Sequence, residues 1–400
     1  MSGSVAPTDE GAIATVIAEA GRRAEPLAVV GNATKAAMLR PVQAAHVLSV
    51  RNYAGITLYS PKELVLSARA GTTLPELEQA LAEQGQHFIA EPPDLSVLLG
   101  AEGAQTLGGV VAANLSGPRR IAWGAMRDHV LGVRAVNGEG VVIRSGGRVL
   151  KNVTGLDLCK LLAGSHGTLG VMTEITLKVL PAPERVGTVV LPRIEPADAV
   201  RILAQAMGSR YAVSGAAFLP PDAAARVPEL AGIGASVALA RIEDFAASVS
   251  YRCARLLDEI GWGEIMDDAP SRAIWRAVRD AVPLPAEPSD AIWRISVRPS
   301  MGGGILRALA DEVGARGFLD WAGGLVWIAA SAEGETHAAI ERAARAAGGV
   351  WTLLRAPDSL RSAVDVIPPE PPVLARITRQ VKAALDPREI LNPGRMYAGV

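Results

Sequence analysis

Four hundred residues are enough to bury a sizeable core, and that length alone suggests two or three domains. Lys plus Arg (40) almost balance Asp plus Glu (41), for a formal charge of −1, so neither a basic stripe for nucleic acid nor an acidic tail is on offer. Apolar residues make up 49% and aromatics only 4%, which leaves Ala, Val, Leu and Ile to build the core. Two cysteines, Cys159 and Cys253, fit a reducing cytoplasm and are too few for a thiolate-held iron–sulfur cluster, which calls for about four. The N-terminus lacks a basic region followed by an apolar run, and no stretch approaches the ~18 apolar residues of a spanning helix. The expectation is a soluble cytoplasmic protein.

In chain order, Ile13, Val16, Ile17 and Ala20 fall on one helical face between Thr8 and Ala20, with Gly21 as the stop. Leu27–Val30 reads as a short buried strand that breaks at Gly31-Asn32-Ala33-Thr34-Lys35. Gly and Asn tolerate left-handed backbone, so this loop can turn successive N–H groups onto an anion, with Thr34 and Lys35 adding a hydroxyl and a cation; an ordinary turn with a solvated lysine is the alternative. Residues 63–70 read as a second strand, followed by the Gly71-Thr72-Thr73 turn and a helix from Leu74 to Gln84 carrying Leu74, Leu77 and Leu81 on one face. Residues 128–136 and 140–144 flank Asn137-Gly138-Glu139, a strong hairpin signal. Leu156 to Leu162 is a short helix that leads into Gly164-Ser165-His166-Gly167-Thr168-Leu169-Gly170 and an apolar strand from Val171 to Val179.

Fifteen of the 41 glycines lie between Gly100 and Gly170, clustered at Gly108-Gly109, Gly117, Gly146-Gly147 and Gly164 to Gly170. One such cluster is a turn; several in succession suggest a long ligand lying against backbone. Past Pro181-Ala182-Pro183 the order becomes strand 188–191, helix 196–207, strand 235–240 and a helix through Leu257. After the Pro-rich residues 282–288 come strand 292–297, helix 304–313, strand 324–330, helix 336–346 and strand 350–354. This amounts to two βαβ-type halves without convincing sequence repetition. A last helix, Leu374 to Leu385, precedes a specific tail ending in Leu391-Asn392-Pro393-Gly394-Arg395.

Several familiar signatures are missing. No G-x-G-x-x-G joins a strand to a helix, no Walker A sequence is present, and Ser165 is not in a G-x-S-x-G elbow. The five histidines (His46, His87, His129, His166 and His337) show no metal-ligand spacing, so no metal site is expected. His166 alone stands in a ligand-lining loop.

Taken in order, Gly31 to Lys35, Ala70-Gly71-Thr72, Thr106 to Asn114, Gly117-Pro118, Arg127-Asp128, Lys151 to Gly155, Gly164 to Val171 and Leu391 to Arg395 resemble one family. That family is the vanillyl-alcohol-oxidase / p-cresol-methylhydroxylase type of FAD-binding flavoprotein, and within it the chain resembles the E subunits of bacterial glycolate oxidases. The resemblance covers roughly residues 25 to 182 and the last dozen. It implies an α+β fold: a two-subdomain FAD-binding domain over residues 1–183, a ferredoxin-like cap or substrate domain over 184–372, and a C-terminal segment, 373–400, returning to the first.

The resemblance also implies roles. Val30, Gly31, Asn32, Ala33, Thr34 and Lys35 wrap the FAD pyrophosphate. Thr106, Leu107, Gly108, Gly109, Asn114 and Gly117 line the flavin and its ribityl chain. Gly164, Gly170 and Val171 close the far wall, and Asn392 returns to the same pocket. The first loop is poorer in glycine than is usual for the family, and it holds no histidine, so FAD is expected to bind non-covalently. The His-x-Gly-Asp-Gly-Asn-x-His-like segment with which related 2-hydroxy-acid dehydrogenases bind metal and substrate is absent, and residues 186–370 show many arginines but no constellation for a hydroxy acid. Arg127, Trp327 and Arg355 are candidate reactive groups, none with an assigned catalytic role.

The implied activity is that of an FAD-binding subunit in a complex oxidising glycolate to glyoxylate. Electrons would pass from flavin to an iron–sulfur subunit, and a second, larger flavoprotein would carry the missing motif. Such a chain is cytoplasmic and meets the inner membrane only through the complex. A stand-alone FAD oxidoreductase acting on another small substrate, and a non-catalytic assembly subunit, remain as alternatives.

Overall fold

The structure is a computed structural model that describes residues 3–147 and 156–399; the Lys151 to Gly155 segment lies outside the described residues. The chain divides into two compact units. The first comprises Met1–Leu115, Ala125–Ala182 and Pro369–Val400, and the second Ser116–Gly124 and Pro183–Pro368.

Among the described residues the first unit contains two main sheets and a third, two-stranded one that pairs Gln86–His87 with Leu180–Pro181. Its opening helix, Glu10–Arg23, is capped by Asp9, whose carboxylate accepts the Ala12 N–H at 2.8 Å. The helix does not stop at Gly21. It runs to Arg23 and ends in a left-handed Ala24, whose N–H donates to the Ala20 and Gly21 carbonyls. Leu27–Val30 is a strand over the expected residues and pairs in parallel with His46–Ser49, which pairs in parallel with Ser4–Val5 on its other edge.

The second sheet is antiparallel, in the order Ile56–Ser60, Val65–Arg69, Val171–Lys178, Val130–Val136, Val142–Gly146. In the hairpin, Val136 pairs with Val142, and the Asn137 side chain accepts the N–H groups of Glu139 and Val141. The Asn-Gly signal thus marks the turn through Asn137 as an acceptor, not through a two-residue loop. Leu66, Ala68, Leu77, Val110, Val111, Val133 and Ile175 belong to one apolar core between this sheet and its covering helices.

The second unit is built on one eight-stranded sheet. Its first half runs Arg185–Pro192, helix Pro196–Gly208, Gly215–Leu219, Val237–Asp244, helix Ala246–Ile260, Glu264–Met266. Its second half repeats this order: Ala291–Ser296, helix Pro299–Val313, Arg316–Asp320, Leu325–Ala330, helix Gly334–Ala346, Val350–Arg355. Each half is therefore βαββαβ, the ferredoxin-like order, with its first and third strands adjacent in the middle. The halves join where Phe218 pairs with Leu319.

Both joining strands, Gly215–Leu219 and Arg316–Asp320, are absent from the sequence reading, which is why it finds βαβ halves. Each has only five residues. Gly215–Leu219 is buried on both faces, so no polar–apolar alternation betrays it.

Candidate FAD site

The Leu27–Val30 strand ends in a loop that takes part in no ladder. Ala33 is left-handed (φ 56°), and the N–H groups of Asn32, Ala33, Thr34 and Lys35 donate to no acceptor among the described residues. The loop is held from its side chains: Asn32 Nδ2 donates to the Ala104 carbonyl at 2.8 Å, and Ser49 Oγ to the Gly31 carbonyl at 2.8 Å. Lys35 Nζ donates to Gln105 Oε1 at 2.9 Å, and Gln105 Nε2 donates to the Pro93 carbonyl. No carboxylate of the described residues forms an ion pair with this lysine. Burial, against a smaller opposing pull from Asp94, brings its ammonium down to about 8.

Thr106 opens the next element. Its Oγ1 accepts the Gly109 N–H at 3.3 Å and so caps the helix Leu107–Ala113, which no periodicity had announced in so short a glycine-containing segment. Gly108 is required by packing, since a Cβ there would lie 3.0 Å from the Ala70 carbonyl oxygen. A Cβ on Gly31 would collide with Thr106 Oγ1, and one on Gly109 would lie 4.0 Å from Lys35 Nζ. These close approaches bring the first loop and the helix start together. Leu107 is buried in the core, not ligand-lining.

Asn114 ends the helix in a left-handed turn (φ 49°), and its Oδ1 accepts the Arg127 N–H at 2.9 Å. The Gly164 N–H donates to the Val111 carbonyl at 3.1 Å and the His166 N–H to the Ala112 carbonyl at 2.9 Å, so the second glycine loop docks on the helix C-terminus. His166 is left-handed (φ 51°). Burial first, then the charges of Arg395 and Lys35, pull its imidazole down to about 3, so it is neutral at physiological pH.

The C-terminal tail closes the arrangement. Asn392 Oδ1 accepts the Val29 N–H at 2.8 Å, and its Nδ2 donates to the His166 carbonyl at 2.8 Å, clamping the first strand to the second glycine loop. Arg395, buried, donates to the carbonyls of Lys35, Ala36 and Arg40 at 2.7–3.2 Å. Lys382 Nζ, also buried, donates to the Thr168 and Leu391 carbonyls and to Asp386 Oδ2.

The expected residues therefore divide. Val30 to Lys35, Thr106, Gly108, Gly109, Asn114, Gly164 and Asn392 gather around one region of the first unit. Gly170 and Val171 sit at the start of a sheet strand against Ala135 and Val136. Gly117 belongs to the second unit, where its carbonyl accepts the Trp321 indole N–H at 3.1 Å. Sequence reading gave no role to Gln105, Lys382, Asp386 or Arg395. Of these, Asp386 and Arg395 stand inside the specific tail that follows the last helix.

Of the candidate reactive groups, Trp327 is a core residue stacked on Phe318 with ring centroids 6.0 Å apart. Arg355 donates to the Asp290 and Glu287 carbonyls, and Arg127 is a half-exposed neighbour of Asp128. Cys159 and Cys253 are both buried, and burial raises both thiols, that of Cys253 to about 11.

These residues fit FAD on their own chemistry. Four unclaimed peptide N–H groups and a partly desolvated ammonium suit a doubly anionic pyrophosphate, and glycines at separate points suit a long ligand. The linkage gives a pH dependence. A bound anion favours protonated Lys35, whereas the free site loses that proton through about pH 8. FAD affinity is therefore expected to weaken above pH 8, by at most about tenfold per pH unit. Fluorescence titrations with FAD between pH 7 and 9.5 measure it, and Lys35→Met, weaker throughout, should be flat over this range.

The fold and this cradle define an FAD-binding flavoprotein. The family described as "FAD binding domain" matches residues 1–146. A solved structure of p-cresol methylhydroxylase with substrate bound has the same fold (TM-score 0.70, 14% identity, 98% of this chain and 88% of that one). Glycolate oxidase subunit GlcE of Escherichia coli (strain K12) is 37% identical over 374 residues, 93% of either chain. Glycolate oxidase subunit GlcD of Bacillus subtilis (strain 168) is 31% identical over 144 residues, 36% of this chain and 29% of that one. The chain belongs to the family of the glycolate oxidase E subunits. Among the described residues no helix is long and apolar enough to cross a membrane.

Proposed function

We propose that this chain is the FAD-binding subunit of a glycolate oxidase complex that converts glycolate to glyoxylate. The observation that supports it most is the cradle of unclaimed N–H groups, Lys35 and Asn392, in a chain aligned with the E. coli subunit over 93% of its length. When bound, FAD supplies the electron acceptor for oxidation of the hydroxy acid. Lys35 and the peptides of residues 32–35 hold the pyrophosphate. Arg395 ties down the carbonyl side of that loop, and Asn392 fixes its distance from the second glycine loop. The first loop contains no histidine or other residue suited to a covalent flavin link, so acid precipitation should release all flavin to solution.

Partners follow from what the chain lacks. Two buried, separate cysteines cannot carry a cluster, so an iron–sulfur subunit takes the electrons onward, and a larger flavoprotein subunit completes the complex. The helix Pro372–Leu385 supports such assembly. It leaves Val373, Leu374 and Ile377 exposed beside Arg376 and Arg379 and contains no acidic residue, a face suited to an acid-rimmed apolar surface on a partner subunit.

The visible spectrum tests the reading. The purified chain should show a flavin band, and anaerobic glycolate should bleach it in the complex reconstituted with its companion subunits. A colourless chain that stays colourless with added FAD would favour an assembly role. A band bleached only by another substrate would overturn glycolate.

A further inference from the structure

The helix Pro372–Leu385 is built the wrong way round for one that packs on its own protein. Such a helix normally buries an apolar stripe and leaves its charges in water. Here the cation Lys382 is the only one of fourteen residues that is buried. Val373, Leu374 and Ile377 are 60%, 51% and 47% exposed, and half-buried Val381 and Leu385 continue their line at helical spacing. Arg376, Arg379 and, just past the helix, Arg388 are exposed, and no side chain of the three has a hydrogen bond or ion pair among the described residues. No acid lies between Pro371 and Leu385. Of the acids that flank the helix, Glu370 accepts from Thr378 Oγ1 at 2.8 Å and Asp386 is buried on Lys382.

The buried end of the helix reaches the FAD cradle. Lys382 Nζ donates to the Thr168 carbonyl at 2.7 Å, inside the second glycine loop, and to the Leu391 carbonyl at 3.0 Å. Leu391 precedes Asn392, whose side chain bridges Val29 and His166. The Leu385 carbonyl accepts the Gly138 N–H at 2.8 Å. The helix is therefore tied down at its last turn, while its first two turns stand in solvent. A helix of this length is marginal in water unless an apolar face is covered. Covering the outer face steadies the last turn, and with it both ties to the glycine loops.

We propose that Pro372–Leu385 is the docking helix for a companion subunit presenting an acid-rimmed apolar groove, and that docking there tightens FAD in this chain. Leu374, Ile377 and Val381 have the i, i+3, i+7 spacing with which a helix fills a groove, and carboxylates at the rim suit Arg376 and Arg379. A second copy is disfavoured, because two-fold pairing of this face brings Arg376 and Arg379 towards their own equivalents with no acid on the helix between them. A lipid surface holds a helix in proportion to the apolar area it buries, and three exposed aliphatic side chains without an aromatic offer little. The companion's identity rests on the glycolate oxidase reading; the docking face does not. Linkage fixes the coupling in both directions, since the factor that docking adds to FAD affinity is the factor that FAD adds to docking.

The test passes the chain, with and without bound FAD, over its immobilised companion subunits, already saturated with their own flavin, and follows association by surface plasmon resonance. FAD-loaded wild type should bind about tenfold tighter than the apo-chain, within the usual range for coupled sites. Ile377→Glu should weaken association of both forms at least about tenfold. Its FAD affinity as a lone chain should stay within about twofold of wild type, because that side chain is exposed there. Arg376→Glu/Arg379→Glu should weaken association too, most at low salt. Wild-type association by both variants would overturn the docking face and leave the glycolate reading in place. Equal binding of apo and loaded wild type would overturn the coupling, again without touching that reading. No association by wild type would sink the companion as occupant and the complex together. Ile377-dependent dimerisation of the lone chain, or its binding to phosphatidylglycerol vesicles, would put a second copy or a lipid surface in the companion's place.

Discussion

Replacing Gly109 with valine is expected to strip the chain of FAD while leaving it folded. Gly109 stands in the first turn of the helix Leu107–Ala113, its N–H on Thr106 Oγ1 at 3.3 Å. A Cβ there would sit 3.3 Å from that oxygen and 4.0 Å from Lys35 Nζ. The γ-methyls of valine reach further and crowd the start of the helix, where the cap and Lys35 meet. They also take up space where the proposed cofactor lies against backbone. Helix propensity works the other way, since valine is better than glycine in a helix by a fraction of 1 kcal/mol, so global stability should change by only about 1 kcal/mol. The expected result is an unchanged circular dichroism spectrum with FAD affinity down at least about tenfold, read from the ratio of flavin to protein absorbance after gel filtration. Gly304→Ala, where a Cβ meets no atom within 4 Å, should keep its flavin. Wild-type flavin content in Gly109→Val would remove this segment from the site.

How much of this was legible in the sequence depended on how local the signal was. The strand Leu27–Val30 and the loop after it were readable because apolar residues stop abruptly at Gly31-Asn32. The helix after Gly71-Thr72-Thr73 was readable because Leu74, Leu77 and Leu81 repeat at its period, and all three are buried. The helix Leu107–Ala113 was invisible as a helix, since seven residues with two adjacent glycines carry little propensity; its cap and its packing on Ala70 make it. The strands Gly215–Leu219 and Arg316–Asp320 were lost because short, fully paired strands between stronger elements have no pattern of their own.

The site divides in the same way. The glycines and the loop announced themselves, because backbone approach to a ligand restricts residue type. The residues that hold the loops together did not. Gln105 reads as one more polar residue until its side chain is seen between Lys35 and the Pro93 carbonyl. Arg395 is one arginine in a tail until its guanidinium meets carbonyls some 355–360 positions away. Such roles depend on chain closure in three dimensions, which local spacing does not encode.

The tail itself supplies the largest expected loss of stability. Lys382 and Asp386 are buried, with side chains 2% and 0% exposed, and lie one helical turn apart at 2.8 Å. Asp386 also accepts the Ile390 and Leu391 N–H groups at 3.2 and 2.8 Å. Those residues then pair with the first strand, the Leu27 N–H donating to the Ile390 carbonyl and the Asn392 N–H to the Leu27 carbonyl. Asp386→Ala would leave an ammonium buried with only carbonyl partners and would free the turn that presents Asn392. Removing one member of a buried pair costs about 3–5 kcal/mol, which should lower the melting temperature by on the order of 10 °C. Flavin should be lost with it, because the Asn392 clamp depends on the same turn. The double variant Lys382→Met/Asp386→Leu separates charge from packing. With no stranded charge it should melt above Asp386→Ala, even though the turn's two N–H groups still lack their acceptor. Thermal unfolding followed by circular dichroism decides between these. A melting temperature for Asp386→Ala within about 1–2 °C of wild type would mean that water reaches Lys382 and that the pair does not anchor the tail.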